Sequence, residues 1–132
     1  KTLKPIKKIS TKEFPGYPTD LQAQLIATQL KSGLKSKVVE NIFENRFIHI
    51  PELRRFGANL SIKGKTVTID KTSNLLGAEV MATDIRASFS LIIAAMMSKG
   101  KTVINRIYHL DRGYEDFDLK LKKCGVNISR KK

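Results

Sequence analysis

Residues 19–24 read Thr-Asp-Leu-Gln-Ala-Gln, and residues 83–88 read Thr-Asp-Ile-Arg-Ala-Ser, so one pattern recurs after 64 positions. Residues 52–61 have a counterpart at 120–129, at an offset of 68. Self-similarity at a nearly constant spacing is typical of repeated supersecondary units, and small drifts in the offset indicate insertions in loops. Two copies of a unit of about 65 residues therefore fill the chain.

Each copy predicts the same order of elements, β-α-β-α-β-β, with strands on one side and helices on the other. Thr-Asp pairs indicate helix starts, and glycines mark helix ends. The predicted helices are 21–32, 51–56, 85–98 and 114–124. The predicted strands are 37–42, 58–62, 66–69, 102–107 and 126–129, with a hairpin turn at 63–65. Copy two stops at its third strand, so its closing strand is expected either from elsewhere in the chain or from residues outside this sequence.

The composition supports a packed core, because 41% of the residues are hydrophobic and 28% are charged. Lys and Arg number 25 against 12 acidic residues, which gives a net charge of +13. The basic residues are mostly scattered lysines, and aromatic residues do not alternate with them as stacking platforms would. This pattern favours a solvated surface or a site for anionic small molecules. A basic module that binds nucleic acid or another polyanion is the alternative.

Several features bear on the compartment. No apolar run reaches the roughly 18 residues of a membrane span, and the start of the chain has no secretory signal pattern. The single cysteine, Cys124, excludes an internal disulfide framework and a cysteine-rich zinc site. A cytoplasmic location is therefore expected. The chain begins at Lys1 rather than at methionine, so we expect a fragment or a processed product.

Four motifs, taken in order, resemble UDP-N-acetylglucosamine enolpyruvyl transferase. They are FPGYPTD at 14–20, IFENRF at 42–47, MATDIRAS at 81–88 and RIYHLDRGYE at 106–115. The resemblance covers the whole chain but only about the C-terminal third of the family's length. The shikimate-pathway enolpyruvyl transferase shares the fold and the phosphoenolpyruvate chemistry, but the strings FENRF and YHLDRGYE resemble the UDP-sugar enzyme instead.

The resemblance implies an α/β fold, an inside-out α/β barrel of two domains, each built from three β-α-β-α-β-β units. This chain would hold two units of one domain, at about 1–65 and 66–132. The implied activity is transfer of the enolpyruvyl group of phosphoenolpyruvate to the 3-hydroxyl of UDP-N-acetylglucosamine with release of phosphate, the first committed step of peptidoglycan synthesis. It would proceed by addition to a tetrahedral intermediate and then elimination.

The resemblance also sets the expected partners. These are the two small-molecule substrates and the N-terminal part of the same enzyme, with no metal, organic cofactor, nucleic acid or membrane. The 132-residue chain alone is expected to be inactive, because half of the cleft would be missing. An uncovered apolar face and open sheet edges predict that it self-associates.

Two aspartates are the candidate catalytic residues. By position alone, Asp20 and Asp84 are N-cap carboxylates that satisfy free N–H groups at helix starts. The resemblance implies that Asp20 binds the sugar hydroxyl and takes its proton as general base. It implies that Asp84 acts in the proton transfers at phosphoenolpyruvate. A helix N-terminus also favours anions, so capping and function are compatible at each position.

Three arginines are candidate substrate-binding residues. From its position in the sequence alone, Arg112 is expected to be a solvated surface arginine in a loop. The resemblance implies instead that it binds phosphoenolpyruvate. The resemblance places Arg46 and Arg86 in the lining of the cleft, where they help to hold its closed state. A cation in the first turn of a helix opposes the helix dipole, so Arg86 indicates an anionic neighbour. We expect Asp20 and Arg112 to face one hollow.

The remaining candidates have structural interpretations. Ile42 is predicted as a buried strand end, and the resemblance adds a main-chain contact to the UDP-sugar. His49 and His109 lack metal partners at useful spacing and are expected to be hydrogen-bonded structural residues. Cys124 aligns with Phe56 in the repeat and is predicted as a small core residue. The family's reactive loop cysteine and its N-terminal Lys-Asn pair lie outside this sequence.

Overall fold

The computed structural model describes residues 3–131 and contains five α-helices and six strands within that range. Copy one consists of β1 (Lys8–Ser10), α1 (Gln22–Gln29), β2 (Ser36–Val39), α2 (Ile50–Arg55), β3 (Leu60–Lys63) and β4 (Thr66–Ile69). Copy two consists of β5 (Glu79–Met81), α3 (Ile85–Met97), β6 (Val103–Asn105), α4 (Tyr108–Asp111) and α5 (Phe117–Lys123). The β-α-β-α-β-β order predicted for copy one is confirmed.

Copy one forms a four-stranded sheet in the order β1-β2-β4-β3. β1 lies parallel to β2, and β4 is antiparallel to both β2 and β3. Gly64 has a φ of 57°, which a glycine adopts without steric cost, and so the chain turns directly from β3 into β4. Because β4 pairs within this sheet, copy one extends past residue 65.

Copy two forms a separate pair of parallel strands, β5 and β6. The predicted strand at 126–129 is wrong, since these residues have no regular secondary structure. In copy one β3 pairs with β4, whereas the described residues contain no fourth strand of copy two with which 126–129 could pair. For the same reason no hairpin covers the end of α5. Cys124 is therefore exposed and the prediction of a core cysteine is wrong, although its counterpart Phe56 is fully buried.

The two copies share one core, in which α1 packs against α3. Ala27 and Ile26 of α1 and Ala94 and Leu91 of α3 are all buried in this core. Burial of this apolar surface is the main favourable contribution to the fold. The packing brings the N-terminal turns of α1 and α3 side by side.

Gly77, at the entry to β5, is expected to be the glycine most sensitive to substitution. A Cβ at this position would lie 2.2 Å from the carbonyl oxygen of Lys101, which belongs to the segment that leads into β6. Since the obstacle is backbone, Gly77→Ala should lower the free energy of unfolding by about 3 kcal/mol, as overpacking does in cores. Urea denaturation would measure the change.

Gly113→Ala is the matched control, because there the nearest atoms belong to the side chain of Ile85, which can move. We expect a clearly smaller loss of stability for this variant. Equal losses at Gly77 and Gly113 would contradict the assignment of Gly77 as the close-approach position.

Candidate functional site

A cleft of about 250 Å³ lies where the N-terminal turns of α1 and α3 meet the loop that follows β2. Both copies therefore contribute to its walls. The lining residues are Thr19, Gln22, Ala23, Glu44, Asn45, Arg46, Ile48, His49, Asp84, Arg86 and Ala87. The cleft thus contains Arg46, Arg86 and Asp84, three of the predicted site residues.

Asp20 lies beside this cleft and binds both of its arginines. Its Oδ1 accepts a hydrogen bond from Nε of Arg86 at 2.5 Å, and Nη1 of Arg46 lies 3.8 Å away. The anionic neighbour predicted for Arg86 is thus confirmed. The side chains of Asp20 and Arg86 are 60% and 49% exposed, so the ion pair contributes at most about 1 kcal/mol to stability. Its main effect is to fix the positions of charged groups that come from different copies.

The prediction that Asp20 caps a helix is wrong. Asp20 lies inside a short 3-10 helix, Thr19–Leu21, and its side chain makes no capping hydrogen bond. This extra turn places Leu21 at the N-cap of α1. The carboxylate is therefore left to bind the arginines.

Asp84 does cap its helix, as predicted. Its backbone is extended, and its Oδ1 accepts a hydrogen bond from the backbone N–H of Ala87 at 2.8 Å. The hydroxyl of Ser88 accepts from the N–H of Thr83 in return, at 3.1 Å. The two hydrogen bonds satisfy free donors at the start of α3 and orient a half-buried carboxylate at the cleft wall.

Glu40 is a site residue that the sequence interpretation missed. It follows β2, is only 3% exposed, and accepts hydrogen bonds from the hydroxyls of Thr11 and Thr19, both at 2.8 Å. It also accepts from the backbone N–H groups of Ile42 at 2.9 Å and Phe43 at 3.3 Å. The carboxylate therefore ties the end of β1, the turn that carries Asp20 and the loop that carries Arg46 to one point.

The charge of Glu40 is maintained by these donors. Burial by itself raises the pKa of Glu40, but the hydrogen bonds from Ile42, Thr11, Thr19 and Phe43 outweigh burial, so the pKa lies below its usual value. An acidic residue after a β-branched run gives no sign of this role in the sequence. Its burial depends on Thr11 and Thr19, which are distant along the chain.

Ile42 is not a strand end as predicted. β2 ends at Val39, and Ile42 lies half-buried in the loop with its N–H donated to Glu40. The Glu40 carboxylate accepts hydrogen bonds from the backbone N–H groups of Ile42 and Phe43, which would otherwise pair with a neighbouring strand. Further along the loop Asn45 adopts a φ of 55°, in the left-handed region that asparagine tolerates better than most residues.

Arg112 is exposed and caps the C-terminal end of α4. It is not among the residues that line the cleft. The next residue, Gly113, packs against the side chain of Ile85 in the first turn of α3. The backbone at Arg112 therefore lies near the end of α3 that carries Asp84 and Arg86.

The two histidines have different environments. His49 is 1% exposed, and neither of its ring nitrogens has a hydrogen-bond partner among the described residues, so the prediction of a hydrogen-bonded histidine is wrong here. His109 is half-buried, with its ring centroid 4.3 Å from that of Tyr108.

The stability of the chain should depend on pH through His49. Burial lowers the pKa of His49 to about 4, against the opposing effect of the Asp84 charge, from 6.5 for the free side chain. The unfolded chain thus binds the proton first as the pH falls. Urea denaturation should show a free energy of unfolding that is highest above about pH 7 and lower by about 2 kcal/mol at pH 5, levelling off below pH 4.

The matched variants are His49→Phe, which should remove this part of the pH dependence, and His109→Phe, which should keep it. An unchanged slope between pH 7 and pH 5 in His49→Phe would contradict the assignment to His49.

Two further observations describe the same range of the chain. Within residues 3–131, no helix has the length and apolar character needed to cross a bilayer. Nor do these residues bring together three side chains of the types that commonly hold a metal ion.

Comparison with known proteins gives consistent results. Residues 1–121 match the family described as EPSP synthase (3-phosphoshikimate 1-carboxyvinyltransferase). The chain is 57% identical over 122 residues to a UDP-N-acetylglucosamine 1-carboxyvinyltransferase of Rhodopseudomonas palustris (strain TIE-1), and 56% identical to one of Pelagibacter ubique (strain HTCC1062). These alignments cover 92% of this chain but only 28% and 29% of the relatives, so the chain spans less than a third of their length.

Among solved structures, the enolpyruvyl transferase NikO from Streptomyces tendae superposes with a TM-score of 0.83 at 28% sequence identity. The match covers 96% of this chain and 30% of that one. The predicted α/β fold is therefore confirmed as the enolpyruvyl transferase fold. With nearly the whole chain matched in sequence and in structure, it belongs to the EPSP synthase (3-phosphoshikimate 1-carboxyvinyltransferase) family.

Proposed function

We propose that the chain forms part of a cytoplasmic UDP-N-acetylglucosamine 1-carboxyvinyltransferase. This enzyme would transfer the enolpyruvyl group of phosphoenolpyruvate to the sugar 3-hydroxyl and release phosphate, as the first committed step of peptidoglycan synthesis. The observation that carries the proposal is the cleft between the copies, where Asp20, held by Arg86 and Arg46, lies beside the capped carboxylate of Asp84. The names of the relatives support the UDP-sugar as acceptor rather than 3-phosphoshikimate.

Asp20 is proposed as the group that binds the sugar 3-hydroxyl and accepts its proton. Its Oδ1 is occupied by Arg86, which leaves Oδ2 to accept a hydrogen bond from the hydroxyl. As the proton moves to Asp20, the sugar oxygen forms a bond to C2 of phosphoenolpyruvate. The double bond between C2 and C3 opens, and C3 takes a proton from the protonated carboxyl of Asp84, which gives the tetrahedral intermediate. Arg86 holds the carboxylate of Asp20 in position for this step.

Asp84 is proposed as the group near C3 of phosphoenolpyruvate in the proton transfers. In the elimination step C3 loses a proton and the bond between C2 and the phosphate oxygen breaks, which restores the double bond and releases phosphate. The cap from the N–H of Ala87 holds one oxygen of Asp84 in place and leaves the other for this exchange.

The remaining predicted residues have binding roles in this proposal. Arg112 would bind the phosphate or carboxylate of phosphoenolpyruvate through its planar fork of donors. Arg46 and Arg86 would hold the cleft closed, and the main chain at Ile42 would contact the UDP-sugar. The N–H of Ile42 is already donated to Glu40, so its carbonyl oxygen is the group available for this contact.

The partner implied is the remainder of the enzyme, which would cover the open side of the cleft and exclude water. Self-association of the chain is also proposed. Large apolar side chains are exposed in it, among them Phe14 at 97%, Leu34 at 63% and Leu76 at 57%.

The test is a chimera in which this chain replaces the matching segment of the Rhodopseudomonas palustris relative. We expect the chimera to release phosphate only when both phosphoenolpyruvate and UDP-N-acetylglucosamine are present. The 132-residue chain alone should release none, because it supplies only one wall of the cleft. A folded chimera without turnover, or turnover by the chain alone, would contradict the proposal.

A further inference from the structure

The chain that follows α5 turns back along that helix. Gly125 has a φ of 89°, in the left-handed region that commonly ends a helix and redirects the chain. Residues 126–131, called the tail below, have no regular secondary structure. Ile128 of the tail packs against the apolar cluster that contains Leu110 of α4 and Phe117 of α5. The tail therefore lies against both helices through its side chains.

Arg130 of the tail binds carboxylates from both of these helices. Its Nη1 donates to Oδ2 of Asp111 in α4 at 3.0 Å, and its Nη2 donates to Oδ1 of the same residue at 2.6 Å. Nη2 also lies 2.9 Å from Oδ1 of Asp118, in the first turn of α5. The pKa values of both carboxyl groups lie below their usual value, chiefly because Arg130 donates hydrogen bonds to them.

The geometry of these contacts fixes Arg130 more firmly than an ordinary surface ion pair would. Isolated exposed pairs contribute little, but bidentate pairs and networks of several charges are the exceptions. Two parallel hydrogen bonds set the orientation of both partners as well as their distance. The guanidinium also lies 5.1 Å from the ring centre of Phe117, which is buried. Arg130 thus fixes Asp111 relative to α5.

This contact matters because Asp111 directly precedes Arg112, the residue proposed to bind phosphoenolpyruvate. Helix α4 has only four residues, so its own hydrogen bonds do little to hold it in place. On the other side of Arg112, Gly113 packs against the side chain of Ile85. The backbone at Arg112 is therefore held from both sides, by Arg130 before it and by Ile85 after it.

We propose that Arg130 is a positioning residue for Arg112, which it holds in place through Asp111. The inference rests on the proposed function and adds a residue outside the cleft. Arg130 itself touches no substrate. A guanidinium whose backbone is already fixed loses less conformational freedom when it binds an anion. Binding of phosphoenolpyruvate, rather than the chemical step, should therefore depend on Arg130.

The first test uses the 132-residue chain without any substrate. The amides of Gly113 and Tyr114 donate to a carbonyl of α4 at 3.1 and 2.9 Å. Hydrogen exchange at these amides should be at least about fivefold faster in Arg130→Ala than in the parent. Exchange at Ser88, in α3, should stay the same. Unchanged exchange at Gly113 and Tyr114 would overturn the inference.

The second test measures kinetics in the chimera. Arg130→Ala should raise KM for phosphoenolpyruvate about tenfold. Both kcat and KM for UDP-N-acetylglucosamine should stay within about twofold of the parent. Arg55→Ala is the matched control, because it removes another exposed arginine that pairs with an acidic side chain, Glu52, and it should leave all three values unchanged. An unchanged KM for phosphoenolpyruvate in Arg130→Ala, or equal rises for both substrates, would overturn the inference.

Asp111→Asn separates positioning from a simple effect of charge. Removal of a carboxylate beside Arg112 would lower KM for phosphoenolpyruvate if charge alone mattered. Positioning requires KM to rise, as in Arg130→Ala. The double variant should be no worse than Arg130→Ala, because both changes break one contact. A lower KM in Asp111→Asn would overturn the inference, and this variant decides if Arg130→Ala does not fold.

The two proposals fail in different ways. An active chimera with an unchanged KM in Arg130→Ala would contradict only the role of Arg130. An inactive parent chimera would contradict the proposed function itself, and with it the role of Arg130 in substrate binding.

Discussion

Asp20→Asn in the chimera is expected to lower turnover at least 100-fold while the fold is kept. The substitution preserves the shape of the side chain and an acceptor for Nε of Arg86 but removes the basic carboxylate. General base catalysis by a positioned side chain contributes about 10²–10⁴-fold, so its loss should appear in kcat. The ion pairs of Asp20 are exposed and contribute at most about 1 kcal/mol, so the melting temperature should change little.

Asp70→Asn is the matched control for this experiment. Asp70 also forms an exposed ion pair, with Lys35 at 3.3 Å, and it does not line the cleft. The same chemical change there should leave turnover at the parental level. Parental turnover in Asp20→Asn, or an equal loss in Asp70→Asn, would show that Asp20 is not the base.

Glu40→Ala is expected to cause the largest combined loss of stability and activity. It removes the acceptor shared by two threonine hydroxyls and two backbone amides, of which the Thr11 hydroxyl belongs to a fully buried residue. Unpaired buried donors cost about 1–3 kcal/mol each, so the free energy of unfolding should fall by about 3 kcal/mol. Turnover of the chimera should fall at least 100-fold, because both Asp20 and Arg46 lose their common anchor.

Glu40→Gln removes the negative charge of the side chain but keeps its shape and position. The amide keeps one oxygen for the N–H groups of Ile42 and Phe43, and its NH₂ can donate to the Thr19 hydroxyl, which can turn to accept. We therefore expect this variant to keep most of the stability and turnover. Denaturation curves and phosphate-release kinetics on both variants would check this. Similar losses in the two variants would mean that the negative charge itself, rather than the hydrogen bonds, is needed.

The sequence correctly predicted those helices and turns whose ends are marked by neighbouring residues. The long helix of copy two was expected at 85–98 and runs Ile85–Met97, because an N-cap aspartate and a terminal glycine bracket an apolar stretch. The hairpin at 63–65 was also correct, since Gly64 permits the turn. Helix α1 begins one residue later than predicted because the preceding 3-10 turn takes up its start. It ends at Gln29 rather than at 32, since the N–H groups of Leu30 and Ser32 donate to carbonyls three residues back.

The errors and omissions concern contacts between distant segments. Nothing near Glu40 in the sequence shows that Thr11 and Thr19 will surround it, and nothing near His49 shows that it will face a cleft made by two helices. Cys124 was placed by analogy with Phe56, which fails because the strand pairing that covers Phe56 has no equivalent around Cys124 in the described residues. Of the residues named by the resemblance, Arg46, Asp84 and Arg86 line the cleft, whereas Arg112 and Ile42 do not.

Duplication of the unit places Asp20 opposite Asp84 in the alignment of the copies, and likewise Gln22 opposite Arg86. If position 22 were arginine, as position 86 is, each aspartate could form the same ion pair with the other copy. The two carboxylates would then have the same surroundings. With arginine at only one of these two positions, Asp20 pairs with Arg86, whereas the carboxylate of Asp84 accepts from the backbone N–H of Ala87. The repeat therefore presents its two equivalent aspartates to the cleft region in different electrostatic settings.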